Sequence, residues 1–171
     1  LAPFSTAYGR VNSLVASLLE DGIPTPRLDL GGGLGISYGD EGDTALPPTP
    51  AEYANCVKSA LGDLNCRFIL EPGRSIIGHA GVLISQVLYV KESAGRFFAV
   101  IDAAMNDLMR PALYDAKHRI ETVALSDPHA PTKVFDIVGP VCETTDTFAI
   151  QYPLPTICPG DLLAITSVGA Y

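Results

Sequence analysis

The sequence predicts two architectures in one chain: an α/β part up to about residue 80, then an antiparallel β domain. Before residue 80, amphipathic helical stretches alternate with short apolar runs that close in glycines and charge. After it, β-branched and aromatic runs follow one another with only Gly, Pro, Asp and Ser between them. The composition allows a substantial core in both, since 47% of the 171 residues are apolar.

The first helix is set by Phe4, Ala7, Tyr8, Val11, Leu14, Val15, Leu18 and Leu19, which share one helical face. "DGIPTP" breaks it, and "RLDLGGG" reads as a short buried strand ending in glycines. A second helix is announced by "TPAE": Thr49 caps, Pro50 takes the first helical position, and Glu52 completes a capping box. Its apolar face is Tyr53, Ala54, Val57, Ala60, Leu61 and Leu64. "CRFILEPGRS" then gives another short buried strand. Helix, strand, helix, strand is half of an α/β barrel or of a doubly wound sheet. The boundary falls near residues 78 to 82, dividing the chain into 1–80 and 81–171. Beyond it, "GVLISQVLYVKES", "RFFAVIDAA", "RIETVAL", "TKVFDIVGPVC", "TFAIQY" and "DLLAITSV" are the strand-like runs.

Charge and cysteine usage narrow the function. A net charge of -8 and a pI near 4.7 exclude nucleic acid and anionic membrane as expected partners. No run is long enough to span a membrane. The four cysteines have no Cys-x-x-Cys spacing, which suits a reducing cytoplasm better than a disulfide framework or a zinc site. His79, His118 and His129 fall in no metal spacing and receive no role.

Three stretches carry chemistry. In "DLGGGLGISY", Gly31, Gly32 and Gly33 follow a strand directly, where backbone N–H groups approach an anion such as phosphate. A tight turn needing positive φ is the plainer explanation. In "EPGRS", Glu71 lies in an otherwise apolar strand and is costly to bury without a cation. Gly73 offers backbone, and Arg74 can fork onto a phosphate or carboxylate. Alone, that stretch reads better as a Glu71–Arg74 ion pair at a proline turn. Two glycine-bearing strand ends in succession favour an anion held from two sides. In "GPVCETTD", Cys142 and Glu143 sit together on a turn, as a buried structural cysteine or as a proton donor beside a cation-binding carboxylate. "MNDLMRPALY" adds Arg110 and Tyr114 after a core strand, where they cap the fold or hold a ligand.

Together "DLGGGLGISY", "EPGRS", "DAAMNDLMRPALYDAKH", "GPVCETTDTFA" and "SVGAY" resemble, in this order, the diaminopimelate decarboxylases, pyridoxal-phosphate enzymes of the alanine-racemase-like barrel fold. The resemblance implies that 1–80 is the C-terminal part of a (β/α)8 TIM-type barrel and 81–171 an antiparallel β domain incomplete at its C-terminus. It implies decarboxylation of meso-2,6-diaminopimelate to L-lysine and CO₂ in the cytoplasm, by a homodimer that shares active-site residues across its interface. Gly31, Gly32, Gly33, Pro72, Gly73 and Arg74 match pyridoxal 5'-phosphate-binding segments, and Glu71 the acid paired with the pyridine nitrogen. Arg74, Arg110 and Tyr114 match residues gripping the distal carboxylate, and Glu143 the one facing the distal ammonium. Cys142 matches the proton donor lent by the partner subunit. Tyr171 matches a tyrosine at cofactor and substrate. No metal is implied.

The family's Schiff-base lysine belongs to an early barrel strand, and Lys58, Lys91, Lys117 and Lys133 stand in other contexts. With a start at Leu1 and a stop after "DLLAITSVGAY", the chain reads as a piece of a larger enzyme, inactive alone. The competing readings are a decarboxylase of the same fold acting on another basic amino acid or polyamine precursor, and a non-catalytic homologue that binds a protein partner.

Overall fold

The structure, a computed structural model, describes residues 1–39, 46–125 and 130–171; His129 lies outside them. The chain divides into two units, Leu1–Ile36 with Ala45–Ile76, and Ser37–Thr44 with Ile77–Tyr171.

In the first unit, α1 (Ala2–Glu20) is followed by β1 (Arg27–Asp29), α2 (Pro50–Leu61) and β2 (Arg67–Ile69). The capping box of α2 forms as its sequence requires. Thr49 Oγ1 accepts from the Glu52 N–H at 3.2 Å, and Glu52 Oε2 accepts from the Thr49 N–H at 2.7 Å. The Thr49 N–H, and secondarily the Thr49 hydroxyl donating to the same oxygen at 2.8 Å, favour the ionised acid and hold the Glu52 carboxyl below its usual range. The two helices pack through Tyr8 on α1 and Tyr53, Val57 and Leu61 on α2, with Phe4, Leu28 and Phe68 against them. The Tyr8 and Tyr53 hydroxyls hydrogen-bond in this core. The apolar face of α1 is narrower than its periodicity predicts. Tyr8 and Val15 are buried, but Leu14 and Leu19 are exposed, because only the line of the helix that meets α2 is covered. β1 and β2 pair in parallel, Leu28 opposite Phe68.

The chain continues through α3 (Arg74–Ile77) into the second unit, whose strands are β3 (Val82–Ser93), β4 (Arg96–Ile101), β5 (Ile120–Thr122), β6 (Thr132–Val138), β7 (Thr147–Pro155) and β8 (Leu162–Thr166). Each lies within or overlaps one of the six runs read from sequence. They form one sheet in the order β5-β8-β3-β4-β6-β7. A bulge between Val87 and Tyr89 lets β3 pair with β8 along its first half and with β4 along its second. The core is Val87, Ala99, Ile101, Phe135, Ile137, Phe148, Leu154, Leu163 and Ile165. The edge strands approach each other, since the Ile120 N–H on β5 donates to the Tyr152 hydroxyl on β7 at 2.9 Å. The sheet is therefore a nearly closed, barrel-like one.

One pairing departs from an antiparallel domain. β4 and β6 run parallel, with Phe97 opposite Phe135 and Val100 opposite Val138. A long crossover from Asp102 to Pro131, carrying α4 (Arg110–Tyr114) and β5, makes this possible. The loops that follow β4 and β6 consequently leave the sheet side by side at the same end.

Candidate functional site

The expected site residues divide between the units. In the first, the parallel β1 and β2 end together, and their turns are laced by backbone. Leu30 N–H donates to Ile69 at 3.0 Å and Glu71 N–H to Gly31 at 2.8 Å. Gly31 takes φ +65° with its N–H on Asp29 Oδ1, a conformation that favours glycine. Gly32 lies so close to the Glu71 carbonyl that a Cβ there would collide with it. Gly33 follows at φ +99°, beside the Phe4 ring. Pro72 and Gly73 lead into α3, with the Gly73 carbonyl accepting from Ile76 at 3.0 Å, and Arg74 is half-buried at its start. One expectation fails: β2 ends at Ile69, so Glu71 is an exposed turn residue and not a buried strand acid.

In the second unit, Asp115 in the left-handed region (φ 50°) ends α4, and Leu108, 3% exposed, anchors its approach. This sets the half-buried Arg110 among aromatic rings. Its guanidinium carbon is 5.3 Å from the Tyr114 ring, 5.3 Å from Tyr171 and 5.8 Å from Tyr38. Its Nε is buried with no hydrogen-bond partner among the described residues. Arg110, Tyr114 and Tyr171, expected from sequence, are thus brought together.

His118 completes the cluster. It is 3% exposed and packs edge-on against Tyr38, ring centroids 4.8 Å apart. Its Nδ1 lies 2.9 Å from the Thr166 carbonyl oxygen, which can only accept, so Nδ1 carries the proton. Nε2 therefore presents a lone pair, and it too is buried without a partner among the described residues. Burial, and secondarily the Arg110 charge, hold the His118 pKa below the usual imidazole value against the opposing bond to Thr166. The ring is neutral at neutral pH. The Tyr38 segment is fixed here by its carbonyl, which accepts from Arg119 N–H at 3.3 Å.

Cys142 and Glu143 stand exposed on the loop after β6. Glu143 Oε1 accepts from the Thr144 N–H at 2.9 Å. The loop is fastened by Asp146, 2% exposed, whose carboxylate takes the Val141 N–H at 2.7 Å and the Met105 N–H at 2.6 Å. Tyr38, His118 and Asp146 were not singled out in the sequence. Asp146 had a signal: an acid one residue before an apolar strand must find donors if it is buried. His118 had none once metal spacing was excluded.

The family model described as "Pyridoxal-dependent decarboxylase, C-terminal sheet domain" matches residues 13–169. The chain belongs to that family. Within it, the chain is 47% identical over its whole length to a diaminopimelate decarboxylase of Zymomonas mobilis, covering 39% of that protein. It is 41% identical to one of Aquifex aeolicus, covering 40%. A crystal structure of diaminopimelate decarboxylase from Helicobacter pylori complexed with L-lysine superposes with a TM-score of 0.85 at 42% identity, over 99% of this chain and 40% of that one. A lysine/ornithine decarboxylase from Vibrio vulnificus, complexed with cadaverine, shares the fold at 23% identity and a TM-score of 0.82. The chain thus spans about two-fifths of the length of the relatives it matches. Among the described residues of this family member, no helix is long and apolar enough to cross a membrane, and the four cysteines are free.

Proposed function

We propose that the protein decarboxylates meso-2,6-diaminopimelate to L-lysine and CO₂ with pyridoxal 5'-phosphate, and that these residues supply its distal-carboxylate grip and its proton donor. The observation that carries this is Arg110: a guanidinium faced by three tyrosine rings, with a buried Nε–H that has no hydrogen-bond partner among the described residues. The half-buried guanidinium is less screened than one in open solvent, and its planar fork matches a carboxylate. Ornithine and lysine have no second carboxylate for such a receptor. The diaminopimelate decarboxylase relatives named above agree with this choice of substrate.

The first unit belongs, in this reading, to a (β/α)8 barrel. Parallel β1–β2 and the exposed Leu14, Leu19, Leu70 and Ile76 are what a segment of a larger barrel presents. The glycine turns fit the cofactor: a Cβ at Gly31 would meet nothing within 4 Å, so backbone there is open to a phosphate, and the Glu71 carboxylate stands at the adjoining strand end. Gly31, Gly32, Gly33, Pro72, Gly73 and Arg74 would hold pyridoxal phosphate, with Glu71 on its ring nitrogen. When bound, the cofactor supplies an electron sink for the carbon that loses CO₂. Arg110 and the Tyr114 hydroxyl orient the substrate by its distal carboxylate, with Tyr171 beside them. Glu143 takes the distal ammonium. Cys142 Sγ–H donates a proton to that carbon in the partner's site of a cytoplasmic homodimer, and solvent reprotonates the thiolate. The exposure of Cys142 and Glu143 supports such a loan. Lys58 on α2, Lys91 on β3, Lys117 after α4 and Lys133 on β6 stand outside the glycine turns, so the Schiff-base lysine is assigned to the remainder of the enzyme.

The test is turnover by the full-length, cofactor-loaded protein. Losing a hydrogen bond to a charged group costs about 1.5–3 kcal/mol, so Arg110→Gln should raise KM for diaminopimelate roughly 10- to 100-fold. Ornithine should be turned over poorly by either form. Equal turnover of both substrates, or an unchanged KM in the variant, would overturn the proposal.

A further inference from the structure

The parallel pairing of β4 and β6 sends two loops out side by side: Asp102–Met109, which presents Arg110 and Tyr114, and Gly139–Asp146, which presents Cys142 and Glu143. One buried carboxylate spans them. Asp146 Oδ1 accepts from the Met105 N–H at 2.6 Å, and Oδ2 from the Val141 N–H at 2.7 Å. Its own backbone is committed to the same loop, donating to the Glu143 carbonyl at 3.1 Å and accepting from Gly139 N–H at 2.9 Å. Gly139 packs flat against the carboxylate, where any Cβ would collide with both oxygens. Beside this link, Thr145 Oγ1 reaches the Met105 sulfur at 3.6 Å.

The far side of the link is also stiff. Ala104 N–H is held by Asp107 Oδ2 at 2.8 Å, and the Asp107 and Leu108 N–H groups return to the Ala104 carbonyl at 2.9 and 3.3 Å. Displacing Met105 therefore displaces the turn that aims Arg110. A chain that needed only to close the 139–146 loop could do so with the Val141 bond alone. The second oxygen is spent on a residue forty-one positions away in sequence.

We propose that Asp146 is a positioning residue of the reaction, its carboxylate fixing the spacing between the Arg110–Tyr114 loop and the Cys142–Glu143 loop. The inference rests on the roles proposed above for Arg110 and Cys142. In the dimer proposed there, it sets what a subunit binds with against what it lends to its partner. Carboxylate recognition and proton delivery are then adjusted together by a group that touches neither.

The experiment uses the full-length, cofactor-loaded protein and the variants Asp146→Asn, Gly139→Ala, Gly139→Ala/Asp146→Ala, Arg110→Gln and Cys142→Ala. Amide hydrogen exchange is followed in peptides covering 103–108 and 139–145, with kcat and KM for diaminopimelate per cofactor-loaded site. Asp146→Asn puts an amide N–H against a backbone N–H, and Gly139→Ala pushes the carboxylate away by a different route. Both should speed exchange at least fivefold in both peptides, raise KM about tenfold and lower kcat about tenfold. If Asp146→Asn does not fold, Gly139→Ala carries the test, and adding Asp146→Ala to it should relieve the collision. A merely structural role would lower the yield of loaded enzyme and leave KM per loaded site unchanged. Exchange rising in one peptide only, or unchanged kinetics beside an Arg110→Gln variant that is impaired, overturns the role of Asp146. An unimpaired Arg110→Gln or Cys142→Ala overturns the reading of those residues, and this inference with it.

Discussion

His118 makes stability depend on pH in a direction that the structure dictates. Its folded-state pKa lies below the usual imidazole value, chiefly because the ring is buried and also because Arg110 is near. The unfolded chain binds the proton near pH 6.5, its ordinary value, whereas the folded chain resists it. Stability from this group is therefore complete above about pH 6.5 and is lost as pH falls toward the depressed folded value. One proton taken up only by the unfolded state gives a slope of at most about 1.4 kcal/mol per pH unit in that window. The assay is urea unfolding of the full-length protein at steps between pH 7.5 and 5.5, compared with His118→Asn. An Asn amide can still donate toward the Thr166 carbonyl but does not titrate. The wild-type curve should fall more steeply than the variant's by a slope approaching that limit, and the two should run parallel above pH 7. Equal slopes throughout would refute the claim that the ring is held neutral. A slope of opposite sign would mean that a carboxylate faces Nε2 and raises the pKa.

Two further substitutions test the packing. Leu61, 1% exposed between Tyr53, Val57 and the first helix, should cost about 2–5 kcal/mol on Leu61→Ala, seen as a lower urea midpoint with an unchanged m-value. Gly169→Ala would drive a Cβ into the Ile77 carbonyl and close against Gly81 N, so it should destabilise by roughly 1–3 kcal/mol and disturb Tyr171 two residues on. A thermal melt that coincides with that of the wild type would contradict the close approach of these backbones.

How much of this was legible in the sequence depends on whether the cause was local. The capping box at Thr49 and the strand runs after Val82 act within a few residues, and they read correctly. The parallel pairing of β4 with β6 did not, because a strand's alternation says which face is buried and nothing about which neighbour it meets across a thirty-residue crossover. The width of the α1 apolar face failed for a related reason: periodicity gives a stripe, but only a partner decides how much of it is covered.

The site shows the same division. Arg110, Tyr114 and Tyr171 were expected from their motifs; Arg110 and Tyr114 meet within one short helix, whereas Tyr171 reaches them only because the fold brings the chain's last residue to that helix. An acid in an apolar context needs donors only where it is buried: Glu71 is exposed, whereas Asp146 is buried and takes two backbone N–H groups. Both acids adjoin apolar strands. What separates them is tertiary: Asp146 sits where two parallel strands deliver their loops together, and Glu71 where a strand has already ended. Among the described residues, the Arg110 Nε–H and the His118 Nε2 lone pair are both buried without a hydrogen-bond partner, and neither is announced by a motif. Asp115 turns the chain back after α4, and residue 118 then packs edge-on against the ring of Tyr38, which also lies beside residue 110. Such relations between residues that share no element are where a structure adds to a sequence, because no local pattern encodes which residues meet across it.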